Sequence, residues 1–337
     1  MKKKLIVPIS TACAMLLLII DGKTALSGAT DGIQLCLQSL IPSLFPFFIL
    51  STMLTSSIAG IPIRFLNPIA KLCRIPFSCT SLLAVGFLGG YPIGAQNVAL
   101  MYRKGYLSDH QAKRMIVFCN NAGPSFLFGV LGSMFSEPKV LWFLWFVHII
   151  SALLVGFIIP GSDDARTGTP SQQQISLPAA LEISVKTMAL VCGWVIISRM
   201  ALKFLQRWFL WLFPEWVQVL VTGILELSNG CIQLSNISCE GLRFTMAAAF
   251  LSLGGVCVSL QTASVSRDIP QNLYFPGKLL QCCFSVTACS ILQFLFPSAD
   301  RFTSPILFYG SIAVGIILIL FFRYLKNCSR IPAQIGV

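Results

Sequence analysis

The chain has 337 residues, 55% hydrophobic and only 11% charged, with a net charge of +12 and a mean hydropathy of +0.80. A soluble domain carries about 25% charged residues, so the composition argues against a soluble fold and for a polytopic membrane protein. The Lys and Arg residues sit beside apolar segments, as topology charges do, so the positive balance points to membrane lipid and not to nucleic acid.

The first predicted element is a helix over about residues 5–20. It follows a basic start, MKKK, and no clear A-x-A cleavage site follows it. Residues 1–22 therefore read as an N-terminal transmembrane helix or signal anchor. A polar link, DGKTALSGATDG, comes next. Its Gly22–Thr24 stretch is no phosphate loop, because Leu17 stands where the first glycine belongs. A second helix is expected over 33–59, with Pro42 and Pro46 inside it. Residues 61–77 carry Arg64, Lys71, Arg74 and three prolines among apolar residues, which suits an interfacial segment.

Residues 78–102 are long enough to span a bilayer, but Gly89, Gly90, Pro92 and Gly94 cut them in two. Each half covers roughly 15 Å, half the hydrocarbon core. Basic residues flank both ends, as a re-entrant hairpin would require; a kinked spanning helix is the alternative. The next apolar helix, 115–135, is interrupted by Asn120, Asn121, Gly123 and Pro124. In hydrocarbon such breaks free backbone polar groups at several kcal/mol each, so they must face protein, water or a ligand. A further helix covers 139–159, where His148 reads as a packing residue. Residues 161–178 form a hydrophilic loop. Beyond it lie a helix over 182–205, an aromatic segment over 208–225, the motif LELSNG at 225–230, an apolar stretch over 244–263, helices at about 275–296 and 304–323, and a basic tail at 327–337.

The two halves resemble each other. Leu88, Gly89, Gly90 and Gln96 align with Leu253, Gly254, Gly255 and Gln261, and FFILSTM at 47–53 aligns with WVIISRM at 194–200. Two related repeats, 30–160 and 179–326, each with a broken or re-entrant helical hairpin, are a transporter plan. An odd number of crossings per unit would make them inverted, although the basic tail then falls outside; the orientation of the second half stays open. The expected fold is an all-α polytopic membrane protein.

No enzyme signature is present, and two histidines offer little for a His-based triad or a metal centre. The thirteen cysteines show no C-x-x-C pair and no zinc spacing, so they read as small buried hydrophobes. The informative residues are polar ones near the breaks: Gly89, Gly90, Gln96, Asn97, Asn120, Asn121, Ser125, Glu226, Asn229 and Gln261, with Ser228 and Gln233. Amides donate and accept, and half-helix ends add partial charges of both signs. Such a set suits a small polar solute or a coupling cation, and equally suits interhelical hydrogen bonding. Glu226 could take a proton or cation, pair with Arg199 or Arg243, or stand beside a helix end at Ser228–Gly230. No cofactor is expected. A homo-oligomer in a bacterial cell membrane or spore-associated membrane is compatible with this reading.

The stretches GFLGGYPIGAQ, FCNNAGPSFLFGVLG, LELSNG and LGGVCVSLQ resemble the nucleoside-recognition (Gate) domain family, in its YlbJ-like branch of sporulation integral membrane proteins. The likeness covers about residues 30–290. Gate domains are similar to halves of concentrative nucleoside transporters and to the membrane part of ferrous-iron permeases. The resemblance implies a transporter or gated permease linked to endospore formation, or a scaffold for spore-envelope assembly built on that fold. It implies hairpin tips at Gly89–Gln96 and Gly254–Gln261, with broken-helix ligands at Asn120–Ser125 and Glu226–Gly230. Cys257 and Ser259 depart from the usual pattern of the second tip.

Overall fold

The structure is a computed structural model and describes residues 2–58, 60–135, 137–161, 175–296 and 304–328. The expected loop at 161–178 and tail at 327–337 fall largely outside them. Every element among the described residues is helical. Among the described residues six helices are long and apolar enough to cross a membrane: Gly22–Ile58, Lys139–Ile158, Leu177–Trp208, Glu240–Val265, Tyr274–Leu295 and Pro305–Leu325. A seventh forms if Arg64–Leu72 and Phe77–Leu88, bent by 113°, count as one.

Helix α1 (Lys2–Ile20) leaves Ile6, Val7, Met15, Ile19 and Ile20 exposed, an apolar surface suited to lipid. The expected polar link after it is helical. Asp21 caps α2 (Gly22–Leu35) by accepting the Thr24 N–H, and a π-turn over Cys36–Leu40 passes into α3 (Ile41–Ile58). The link looked like a loop because it is polar. It is a helix because its charge has a partner: Asp31 accepts from Lys203 at 2.7 Å and from Arg199 at 3.4 Å, both on α10 (Leu177–Trp208). Arg199 thus pairs with Asp31 and not with Glu226. Gly28 and Gly32 of α2 let the backbone of α10 come close.

The interfacial segment contains the short α4 (Asn67–Leu72). After it the chain runs through α5 (Ser81–Leu88), α6 (Ile93–Arg103), α7 (Asp109–Phe118), α8 (Pro124–Val130) and α9 (Lys139–Ile158). Ser108 and Gln111 form a reciprocal capping box at the start of α7. Following α10 come α11 (Glu215–Leu225), α12 (Leu227–Gln233), α13 (Glu240–Leu253), α14 (Gly255–Val265), α15 (Tyr274–Leu295) and α16 (Pro305–Cys328).

Arg114 would pass in the sequence for a topology charge, yet it is 1% exposed. Its guanidinium donates to the carbonyls of Cys73, Arg74, Gly156 and Ile159. It thus ties α7 to the end of α9 and to the turn after α4, where helix-terminal carbonyls have no intrahelical partner. Arg114→Met is expected to leave those acceptors bare and to lower stability by about 2–3 kcal/mol. Thermal unfolding in detergent should show a clear drop for Arg114→Met and no drop of that size for Lys113→Met, whose side chain is partly exposed beside Asp109.

Candidate functional site

The centre of the molecule is built from four interrupted helices. Two of the interruptions reverse the chain. α5 and α6 fold against each other around Gly89–Pro92, and α11 and α12 around Glu226. The glycines make these reversals close-packed. A β-carbon on Gly86 would lie 2.8 Å from the Cys119 carbonyl carbon, and one on Gly94 would lie 2.7 Å from the Asn120 Cα. Both arms of the first hairpin therefore press on the backbone of residues 119–120. In the second hairpin Gly230 packs onto the Gly223 backbone, and both glycines face the Phe250 ring.

The other two interruptions do not reverse the chain. Residues 119–123 separate α7 from α8, with Gly123 packed on the Gly90 backbone. α13 passes into α14 through a left-handed turn at Gly254 (φ +71°), and Glu240–Val265 continues as one crossing-length helix. Gly255 lies against the carbonyls of Gly223 and Ile224. Each hairpin thus sits on the break of the helix that follows it. The packing is reciprocal: α7 lies on α15 and α13 on α9, while α6 touches α14 and α12 touches α8.

This arrangement corrects the sequence reading at one point. Glu226–Gly230 is the second hairpin tip, and Gly254–Gln261 belongs to the broken helix. The expectation followed the family resemblance, which sets a tip on each Gly-Gly pair. Gly-Gly relieves steric restriction wherever it stands, and here it serves a reversal at 89–90 and a left-handed turn at 254–255.

Glu226 is 1% exposed. Its Oε1 accepts the Ser228 N–H at 3.0 Å, and its Oε2 accepts the Asn229 N–H at 2.6 Å and the Asn229 Nδ2 at 2.7 Å. It is the N-cap of α12, where the helix dipole favours a negative charge. Arg243 is occupied by the carbonyls of Ile237 and Met134. No cation stands within ion-pair distance of Glu226 among the described residues.

Between the tips lies a small cavity of about 30 Å³, enough to hold water. Gly90, Tyr91, Gly123, Glu226, Ser228 and Gln261 line it, together with aliphatic residues of α3 and α10. Four of the expected residues, Gly90, Glu226, Ser228 and Gln261, therefore meet here. Gly89 lies behind Gly90, against Val85 and Ile93.

Most of the amides stitch elements together. Asn120 Oδ1 accepts the Ala95 N–H at 3.1 Å, and its Nδ2 donates to Thr262 at 2.8 Å and Tyr274 at 3.1 Å. Asn97 donates to Thr55 at 3.3 Å, and Gln96 accepts from Thr187 at 3.3 Å. Gln261 donates to the Cys257 thiol. Ser125, 7% exposed, has a hydroxyl with no partner among the described residues.

Lys278, on α15, escaped the sequence reading. It is fully buried, and its ammonium donates to the Asn120 carbonyl at 2.5 Å, Gln281 Oε1 at 2.9 Å and Asn121 Oδ1 at 3.2 Å. The rings of Tyr91 and Tyr274 lie 5.2 and 5.8 Å away. His148, also buried, packs as a hydrogen-bonded residue: its Nε2 accepts the Ala122 N–H at 3.1 Å and so satisfies backbone freed by the break. From there a chain of hydroxyls runs through Ser252, Ser285 and Ser151. The signal available was a polar stripe on α15, with Tyr274, Lys278, Gln281 and Ser285 falling on one helical face.

The chain is similar to the sporulation integral membrane protein YlbJ of Bacillus subtilis (strain 168), with 24% identity over 320 residues, 80% of this chain and 78% of that protein. No family model and no solved structure matches it. With its crossing-length helices and that similarity, the chain is a multi-pass integral membrane protein.

Proposed function

We propose that this protein is a transporter or gated permease for a small polar solute or ion, acting in endospore formation. The observation that carries the reading is the meeting of two re-entrant tips at two helix breaks around a buried carboxylate and a buried ammonium. A plain anchor has no use for interrupted helices, and intramembrane charges mark solute and ion paths. The link to spore formation comes from the similarity to YlbJ. On this reading the two hairpin-plus-broken-helix units are duplicated Gate-like repeats, and rocking one against the other opens the site to either side. The cavity between the tips is small, so a larger solute requires the tips to part. Movement of either hairpin alters the contacts of the other unit's helices, which couples the two gates.

Uptake into proteoliposomes tests this. Wild-type protein should carry one of a panel of ions and small polar solutes, and Glu226→Gln and Asn121→Ala should each lower the flux at least tenfold. Unchanged flux in both variants rejects transport through this site. One observation favours the second reading, a non-transporting scaffold for spore-envelope assembly: Asn97, Asn120 and Gln96 spend their polar groups on internal contacts. A scaffold predicts that cells carrying Glu226→Gln still form spores with a complete envelope.

A further inference from the structure

A buried ammonium is normally neutralised by a carboxylate, because taking a lone charge out of water costs several kcal/mol. Lys278 has no carboxylate within ion-pair distance among the described residues. Its charge is met by dipoles instead. One is the Asn120 carbonyl, which the end of α7 leaves without an intrahelical partner; the others are the amide oxygens of Asn121 and Gln281. Asn121 Oδ1 also accepts from Gln281 Nε2 at 3.2 Å, and Asn121 Nδ2 donates to the Phe118 carbonyl at 2.7 Å. These bonds hold both amides with their oxygens turned to the ammonium. Two tyrosine rings stand on other sides of it, and ring faces attract cations. Neutral oxygens at an unwound segment, with aromatic walls and no acid, are what a desolvated monovalent cation takes.

We propose that the Asn120–Asn121 break is a monovalent-cation site and that Lys278 fills it from within as a tethered ion. The tether sets a high effective concentration, so a free cation does not compete and closure of the tips needs none from solution. Tyr91 joins this site to the cavity: its ring faces Lys278, it lines the space beside Glu226, and its hydroxyl donates to the Leu251 carbonyl at 3.2 Å. The inference deepens the transport reading, but its test does not depend on flux.

The test is thermal unfolding of the full-length protein in detergent, in potassium, sodium or choline chloride at equal ionic strength. Wild type should unfold at the same temperature in all three. Lys278→Ala empties the site but leaves its oxygens; its midpoint should be lowest in choline and rise, saturably, with potassium or sodium. Lys278→Met fills the space without a charge and should be low and indifferent to the cation. Adding Asn121→Leu to Lys278→Ala should abolish the response. A folded Lys278→Ala protein that is equally stable in all three salts overturns the proposal. So does strong stabilisation by potassium or sodium over choline in wild type and in Glu226→Gln alike, since the second lacks the carboxylate of the neighbouring cavity; this comparison decides alone if the alanine variant yields no folded protein. Absent solute flux would leave these shifts in place, whereas a cation-blind Lys278→Ala protein would leave the flux result standing.

Discussion

Gly94→Ala is expected to destabilise the protein markedly, although it adds a single methyl group. The added carbon would collide with the Cys119 carbonyl oxygen and lie 2.7 Å from the Asn120 Cα. Both obstacles are backbone, so no rotamer change relieves them. Either the hairpin lifts or the break moves, and each breaks the neighbouring bond from the Ala95 N–H to Asn120 Oδ1. Overpacking of this kind costs about 3 kcal/mol, which for a chain of this size lowers the unfolding temperature by about 4 °C. Gly193→Ala is the control. Gly193 lies inside α10, and a β-carbon there meets nothing within 4 Å. Alanine's better helix propensity should leave that variant neutral, or more stable by up to about 1 kcal/mol. Equal losses in the two variants would show that the tip does not press on the break as described.

The same glycines show what could be read from the sequence. All four interruptions were visible, since Gly-Gly-x-Pro, Asn-Asn-x-Gly-Pro, Ser-Asn-Gly and Gly-Gly each break an apolar run. Which of them turned the chain back was not. Helix continuation or reversal depends on a few backbone angles and on what packs against them, and glycine permits both. A better guide was the glycine three residues before each tip: Gly86-Phe87-Leu88 and Gly223-Ile224-Leu225, each followed within eight residues by another glycine, at 94 and 230. Those pairs let two hairpin arms share one neighbouring strip of backbone or ring. Lys278 and Arg114 were illegible for a different reason. A basic residue near the end of an apolar helix usually snorkels to the interface, and only the tertiary fold turns a broken helix or a set of bare carbonyls toward it. The polar segment at 21–32 misled in the same way, because its partner Arg199 lies 168 residues further on.

Glu226 is where stability and function separate most sharply. Glu226→Ala removes the acceptor of three hydrogen bonds at a buried helix start. Leaving the Ser228 and Asn229 donors unsatisfied should cost about 3–5 kcal/mol, enough to melt α12 and loosen the tip. Glu226→Gln keeps one carbonyl oxygen and the side-chain length but removes the charge that favours the N-terminus of α12. Its loss should be smaller, about 1–2 kcal/mol, with the fold intact. If Glu226 is a cap and nothing else, the glutamine variant should keep its flux or scaffold role in proportion to the folded protein present. If the carboxylate serves a passing cation or proton, flux should fall at least tenfold in glutamine-variant protein that is still folded. Measuring the unfolding temperature and uptake on one preparation separates the two. A glutamine variant as unstable as the alanine variant would mean that the charge itself, and not the cap geometry, holds the second tip on the break at Gly254.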